Sequence, residues 1–239
     1  MPSVRLTILL PPSEGKAEGG GRPPWKTTSG RFGRALGRHR SDVADALAAA
    51  GGGDGRLLGV SGRHLERARL ANSTVVGSAT LPAHRRYTGV VWDHIGFDTL
   101  DGRARERASE SVVVLSALLG AAGIDDPVPD YKLKMGAALA PMGRLSTFWR
   151  RPLTGALDAQ LAGTWVVDLL PIEHRAAWTP SPHLYAGHVA VAFVEKSGQV
   201  AGHDAKAAKG MLVKHLLESK LTPQRALSSW RHPRFTLDY

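Results

Sequence analysis

Ser13, Glu14 and Lys16 lie in the stretch LLPPSEGK at residues 9–16, with only Gly15 between the last two. A hydroxyl, a carboxyl and an amine side by side could act as nucleophile, acid/base and anion-binding cation. Pro11 and Pro12 forbid regular structure ahead of them, so the group sits in a loop after an apolar run. Ligands in α/β proteins collect at the carboxyl ends of strands, which is where such a loop falls. The Gly15-Lys16 pair is not a P-loop. That motif needs a glycine five residues earlier and Ser or Thr afterwards, where this chain has Leu10 and Ala17.

A second group is HDAKAAKG at 203–210. Lys206 and Lys209 are three apart, hence neighbours on one helical face. They fall in a first turn, where the helix dipole favours anions, so the pair reads as a phosphate site. Gly210 in the helix interior costs about 1 kcal/mol relative to Ala, which implies close approach by another backbone or a ligand. In RRYTGV, Arg85 and Arg86 suit phosphate oxygens and Tyr87 could stack or donate a hydrogen bond. DYKLKMG repeats the theme, with Tyr131 flanked by Lys132 and Lys134. Aromatics interleaved with basic residues suit single-stranded or flipped nucleotides, and equally arise from amphipathic packing. The histidines show no HxxxH-type pairing or carboxylate cluster, so neither a metal nor another cofactor is expected. There is no GxSxG elbow.

These groups must be carried by elements that the hydrophobic pattern outlines. VRLTILL at 4–10 predicts a strand buried on both faces. The loop from Pro11 to about Ser29 is too rich in Gly and Pro for an element. SDVADALAAA at 41–50 predicts a helix with Ser41 as N-cap, stopped by GGGDG, and 62–71 a second helix with a basic face. The segment STVVGSATLP predicts a short strand leading into the loop that bears RRYTGV. ARERASESVVVLSALLG changes from polar helix to apolar strand at Ser111, and GTWVVDLLP gives a strand ending in Asp168. AGHVAVAFVEKSGQVAGHD predicts a hairpin turning at Ser197-Gly198. Residues 205–219 predict a helix with Ala208, Met211, Leu212 and Leu216 on its buried face. Interleaved strands and helices without repeat or linker predict one α/β (α+β mixed) domain over 1–239.

Composition bounds the function. The chain has 239 residues, no cysteine, 31 Lys and Arg against 21 acids, a net charge of +10 and a sequence pI near 10.3. Disulfides, thiolate zinc sites and Cys-held iron–sulfur clusters are excluded. The basic excess favours polyanionic partners. No segment approaches the roughly 20 apolar residues that span a bilayer. LTILL before Pro11 is shorter than a signal-peptide core. The expectation is a cytoplasmic protein with no membrane partner.

LLPPSEGK, RRYTGVVWD, VVVLSALLG, PDYKLKMG, STFWR, VVDLLP and AKAAKG occur in the order and spacing of one family. The chain resembles the YaaA peroxide-stress proteins over nearly its whole length. The resemblance implies a single mixed α/β domain with a mixed sheet, surrounding helices, a positively charged cleft and a helix-hairpin-helix-like element. It implies a cytosolic protein that limits oxidative, iron-driven DNA damage and binds DNA. Ser13, Glu14 and Lys16 match the family's opening loop, Tyr87, Thr88 and Gly89 its YTG motif, and Lys206, Lys209 and Gly210 its Lys-x-x-[Lys/Arg]-Gly helix. Tyr131, Lys132 and Gly136 match a Tyr-Arg…Gly pattern with Lys for Arg, and Trp149 an aromatic position. LSALLG is the candidate for the hairpin element, with Ala117 where relatives often carry Gly. Pro171 and His174 stand where relatives tend to carry Ser and Tyr.

Two functions follow. One is a sequence-tolerant binder of double-stranded DNA, using Lys16, Arg85, Arg86, Thr88, Lys132, Lys134, Lys206, Lys209 and Gly210 on phosphates. The other is an enzyme acting on a nucleotide or other phosphorylated small molecule. There Lys206 and Lys209 hold phosphate, Glu14 serves as acid/base, Ser13 or Tyr87 orients or attacks, and His174 is a second proton carrier.

Overall fold

A computed structural model describes residues 4–197 and 204–239. Strand β1 (Arg5–Leu10) leads through the proline-rich loop to helices α1 (Gly33–Ala49), α2 (Gly55–Leu58) and α3 (Gly62–Ser73). Then come β2 (Thr80–Pro82), the single turn α4 (Ala83–Arg86), α5 (Val90–Ile95) and α6 (Gly102–Ser111). Three short strands follow, β3 (Val112–Ser116), β4 (Gly120–Gly123) and β5 (Pro127–Pro129). The small pair β6 (Ala138–Leu139) and β7 (Gly143–Arg144) precedes α7 (Leu145–Leu161) and β8 (Thr164–Asp168). The chain closes with α8 (Ile172–Arg175), β9 (Gly187–Ala190), β10 (Ala192–Glu195), α9 (Asp204–Glu218), α10 (Pro223–Ser229) and β11 (Phe235–Asp238).

The main sheet runs β4-β3-β1-β8-β9. β1 is central and parallel to both β3 and β8, β9 is parallel to β8, and β4 is an antiparallel edge. Ile8, Leu9, Leu10, Val112–Leu115, Val166 and Val167 are fully buried. These apolar runs fit parallel strands covered on both faces. After β1 the chain builds the neighbour on one side, β3, and then crosses to the other side for β8. The loops leaving β1, β3 and β8 therefore open at one end of the sheet around a reversal of strand order, the usual place for a ligand crevice.

Several expectations are met closely: β1, α3, the helix-to-strand change at Ser111, β8 ending in Asp168, and α9. Others are corrected. The first helix starts at Gly33, so Ser41 is interior and not a cap. Arg40 hides the start. It is buried, its Nε donating to Leu119 O (2.8 Å) and its other nitrogens to Ala121, Thr27 and Ser29 carbonyls. It thus occupies a core position that reads as solvated surface. α7 has no counterpart in the predicted elements, because Pro152 and Gly155 interrupt its buried ladder of Leu145, Trp149, Leu153, Leu157 and Leu161. The short strand expected within STVVGSATLP is β2, at the end of that segment, and Val76 ahead of it is exposed.

On α9, Met211 faces solvent while Val213 and Leu217 are buried. LSALLG is not a helical hairpin but the buried β3–β4 turn, in which Ala117 O accepts the Trp149 indole N–H at 2.7 Å. The hairpin expected at Ser197-Gly198 has its return arm outside the described residues. Its first arm is split in two: β9 joins the main sheet parallel to β8, and β10 pairs antiparallel with β11. No helix among the described residues is long and apolar enough to cross a membrane.

Candidate functional site

The loop after β1 is fixed by backbone pairing with the segment after α4. Thr88 N–H donates to Gly15 O (3.2 Å) and Ala17 N–H to Arg86 O (2.9 Å), making Lys16 and Tyr87 bridge partners. A Cβ on Gly15 would lie 2.9 Å from Thr88 Oγ1, so any larger residue there would push the Thr88 side chain aside. Gly89, at φ 101°, turns the chain into α5, and Ser13 Oγ lies against it. Arg86 secures the arrangement from below. Fully buried, it donates to the carbonyls of Val128, Ala17, Gly19 and Ala79.

Beneath this pairing lies a chain of buried hydroxyls. Tyr131 Oη is 2.7 Å from Ser116 Oγ, at the carboxyl end of β3, and 3.1 Å from Tyr87 Oη. Burial pushes the Tyr131 phenol up to about 12 and that of Tyr87 well above its ordinary value, so both stay protonated at neutral pH. The Lys16 amine sits 4.2 Å from the Tyr131 ring centre, 5.7 Å from that of Tyr87, and donates to Ser13 O at 3.0 Å. Loss of hydration, followed by the Lys132 charge, brings its pKa down to about 7. The neutral amine is therefore accessible near neutral pH.

Lys132 is positioned by Asn72, a buried side chain of α3. Asn72 Oδ1 accepts Lys132 N–H and Asn72 Nδ2 donates to Lys132 O, both at 2.9 Å. Lys132 Nζ lies 3.2 Å from Glu14 Oε2 and Lys134 Nζ 3.6 Å from Oε1. The hydrogen bond from Lys132 holds the Glu14 carboxyl below its usual range, so it is a carboxylate at neutral pH. Glu14, Lys16, Arg67, Asp130, Tyr131 and Lys132 are among the residues enclosing a cavity of about 220 Å³.

A second cluster stands over the end of β8. Asp168 is buried, accepting from Leu170 N–H (2.7 Å) and Arg175 Nε (3.0 Å). Lys209 Nζ donates to Leu169 O at 2.7 Å, and burial lowers its pKa to about 8. Burial, then the Lys209 charge, lowers His174 to about 4, so its ring is neutral at pH 7. Among the described residues, Nδ1 of His174 and Nε2 of His188 are buried without hydrogen-bond partners. Gly210 is required by close approach to α5: a Cβ there would meet Val91 O at 2.4 Å.

Of the residues singled out from sequence, Ser13, Glu14, Lys16, Tyr87, Thr88, Lys132 and Lys134 gather around the first loop. His174 and Lys209 belong to the second cluster. Lys206 is exposed on the first turn of α9, and Arg85 is exposed beside a different hollow, with His84 and Arg105. Sequence reasoning missed Ser116, Asn72, Asp130 and the Asp168–Arg175 pair. Asp168 carried a signal, a carboxylate closing an apolar strand. Asn72 carried none, being a single amide in a basic helix.

The fold and site define an α/β protein with cationic and hydroxyl-bearing loops at the carboxyl ends of parallel strands. Residues 6–239 match the family described as peroxide stress protein YaaA. A UPF0246 protein of Streptomyces coelicolor is 32% identical over 224 residues, covering 92% of this chain and 85% of that protein. One from Corynebacterium efficiens is 32% identical over 219 residues, covering 90% and 86%. The chain belongs to the peroxide stress protein YaaA family.

Proposed function

We propose that this peroxide stress protein binds double-stranded DNA through the cations around the carboxyl ends of its parallel strands, and so limits oxidative damage to the duplex. The supporting observation is that Lys132, Lys134 and Lys16 gather at one loop cluster of a chain carrying a net charge of +10. Phosphate contacts of this kind need charge and reach, not a particular base sequence. The usable cations there are the exposed ones, Lys134 and Lys206, with Lys132 at the cavity rim, while Arg85 is exposed beside a different hollow. Arg86 and Lys209 already hold backbone carbonyls and support the site from within.

The test is duplex affinity across a salt series for the wild type and for Lys134→Ala/Lys206→Ala. Removing two phosphate contacts flattens the slope of log K against log salt by roughly 2. An unchanged slope, or no binding at low salt, overturns the proposal.

A second reading is catalysis on a nucleotide or other phosphorylated small molecule, favoured by one observation. Lys16 presents a depressed amine in a half-open hollow also lined by Glu14, Tyr131 and Lys132. At about 220 Å³ the cavity is smaller than the roughly 300–1,000 Å³ of drug-sized sites, and suits a sugar phosphate or one unit of a polymer. Glu14, held ionised, can accept a proton there but is a poor acid at pH 7, whereas His174, held neutral, stands in the cluster over the end of β8 and outside this cavity. A thermal-shift and turnover screen of nucleotides and sugar phosphates tests this reading. No stabilisation by any of them rules it out.

A further inference from the structure

Lys16 is unlike a structural lysine. Among the described residues its amine makes one hydrogen bond, to Ser13 O, and no ion pair. The carboxylates around it are engaged elsewhere: Glu14 by Lys132 and Lys134, and Asp130 by Arg67 at 3.1 Å. Lys16 is half-buried, and a partly desolvated ammonium ordinarily finds a carboxylate, because an unpaired charge short of water is costly. Here it has a carbonyl, two aromatic faces and the cavity.

We propose that Lys16 is an amine nucleophile that captures an aldehyde carried on a phosphorylated sugar as a covalent imine. The phosphorylated character of the ligand rests on the function proposed above. The amine already donates to Ser13 O, so in its neutral form the nitrogen lone pair is not consumed by a donor. A neutral amine at neutral pH is what imine-forming lysines require, and burial beside a second cation is one way to obtain it. Lys132 supplies that second cation. The ligand's phosphate would compete with the exposed Glu14 carboxylate for Lys132 and Lys134. That pairing is weak enough to yield, because Glu14 is 73% exposed.

The step balances without a co-reactant. Lys16 Nζ forms a bond to the carbonyl carbon while the C=O π pair moves to oxygen, and a proton passes from nitrogen to that oxygen, giving a carbinolamine. Taking up one further proton, the hydroxyl leaves as water, and the nitrogen lone pair forms the C=N bond of a protonated imine. Nothing is oxidised or reduced.

Two ligands share this chemistry: the ring-opened deoxyribose of an abasic site in DNA, and a free sugar phosphate. The experiment incubates the full chain with cyanoborohydride and either a duplex holding one abasic site or glyceraldehyde 3-phosphate. Trapped lysines are then mapped by peptide mass spectrometry. The expected result at pH 7 is labelling of Lys16 at least about tenfold faster than of exposed lysines such as Lys26 or Lys206. Labelling from the duplex alone assigns the DNA source, and labelling from the small aldehyde alone assigns the metabolite.

The labelling rate rises with pH through a midpoint near 7, set by the groups facing Lys16: Lys132 and Arg86 lower it, while Asp130 and Glu14 raise it. In Lys132→Met the midpoint moves up. Even labelling of all lysines, or a midpoint that stays above pH 9, overturns the proposal, and neither readout depends on a Lys16 variant that folds. The outcome is separable from the DNA reading, which is judged on undamaged duplex. Trapping by glyceraldehyde 3-phosphate without duplex affinity sustains the imine and sinks the DNA reading. Salt-dependent duplex affinity without selective trapping does the reverse.

Discussion

The Tyr131 hydroxyl lies 2.7 Å from Ser116 Oγ and 3.1 Å from the Tyr87 hydroxyl, joining the end of β3 to the loop that pairs with Lys16. All three side chains are buried. Ser116 also accepts from Leu119 N–H and interacts with the Tyr87 hydroxyl. Tyr131→Phe keeps the ring under Lys16 and removes the hydroxyl that bonds to both Ser116 and Tyr87, which costs about 1–3 kcal/mol. Guanidinium denaturation of the variant and wild type measures it. A loss under ~0.5 kcal/mol would mean the hydroxyls find water instead.

His174 gives a pH dependence of defined sign. Its folded pKa is lowered to about 4 from 6.5 by burial and by Lys209. Between these values the unfolded chain binds the proton and the folded chain does not, so stability falls as pH drops from 6.5 towards 4. His174→Leu removes this contribution. Its stability–pH curve, from urea unfolding at half-unit steps, should be flatter than the wild type over that window and parallel to it above pH 7. Identical slopes would place the folded His174 pKa near its ordinary value.

Much of the fold was legible because apolar runs and turn residues act locally. Ser111 closes a polar helix, Asp168 ends an apolar strand, and Pro11-Pro12 release the loop that carries Ser13 to Lys16. What was hidden depends on buried cations and distant backbone pairs. Arg40 and Arg86 satisfy carbonyls inside the protein, yet in sequence they read as solvated charge. Lys209 read as a phosphate-binding lysine beside Lys206, but it is turned in to Leu169 O on the face where Gly210 meets α5. The convergence of Lys16 and Tyr87 runs through hydrogen bonds of Gly15 and Ala17, which leave no side-chain pattern to read.

Gly210→Ala sets two effects against each other. In an exposed helix interior the change is worth about 1 kcal/mol in favour of Ala. Here the new methyl would lie 2.4 Å from Val91 O and 2.6 Å from His94 Cβ, and neither can yield unless α5 and α9 move apart. Overpacking of this kind costs about 1–3 kcal/mol, so the net change is destabilising. A raised melting temperature would show that the two helices separate freely.

Glu14→Gln tests the rim of the cavity through three readouts with different expected signs. The side chain is 73% exposed, so losing its pairs with Lys132 and Lys134 changes stability by no more than about 1 kcal/mol. Those two lysines are then free of a competing carboxylate. If they contact DNA phosphates, duplex affinity at low salt rises and the salt slope steepens by up to roughly 1. Glu14 also helps to keep the Lys16 amine protonated, so its neutralisation lowers the Lys16 pKa further and quickens aldehyde trapping below pH 7. Tighter DNA binding without faster trapping would assign Lys132 and Lys134 to phosphate and leave Lys16 a bystander. Faster trapping with unchanged DNA affinity would make the cavity the functional element and the surface charge incidental to it.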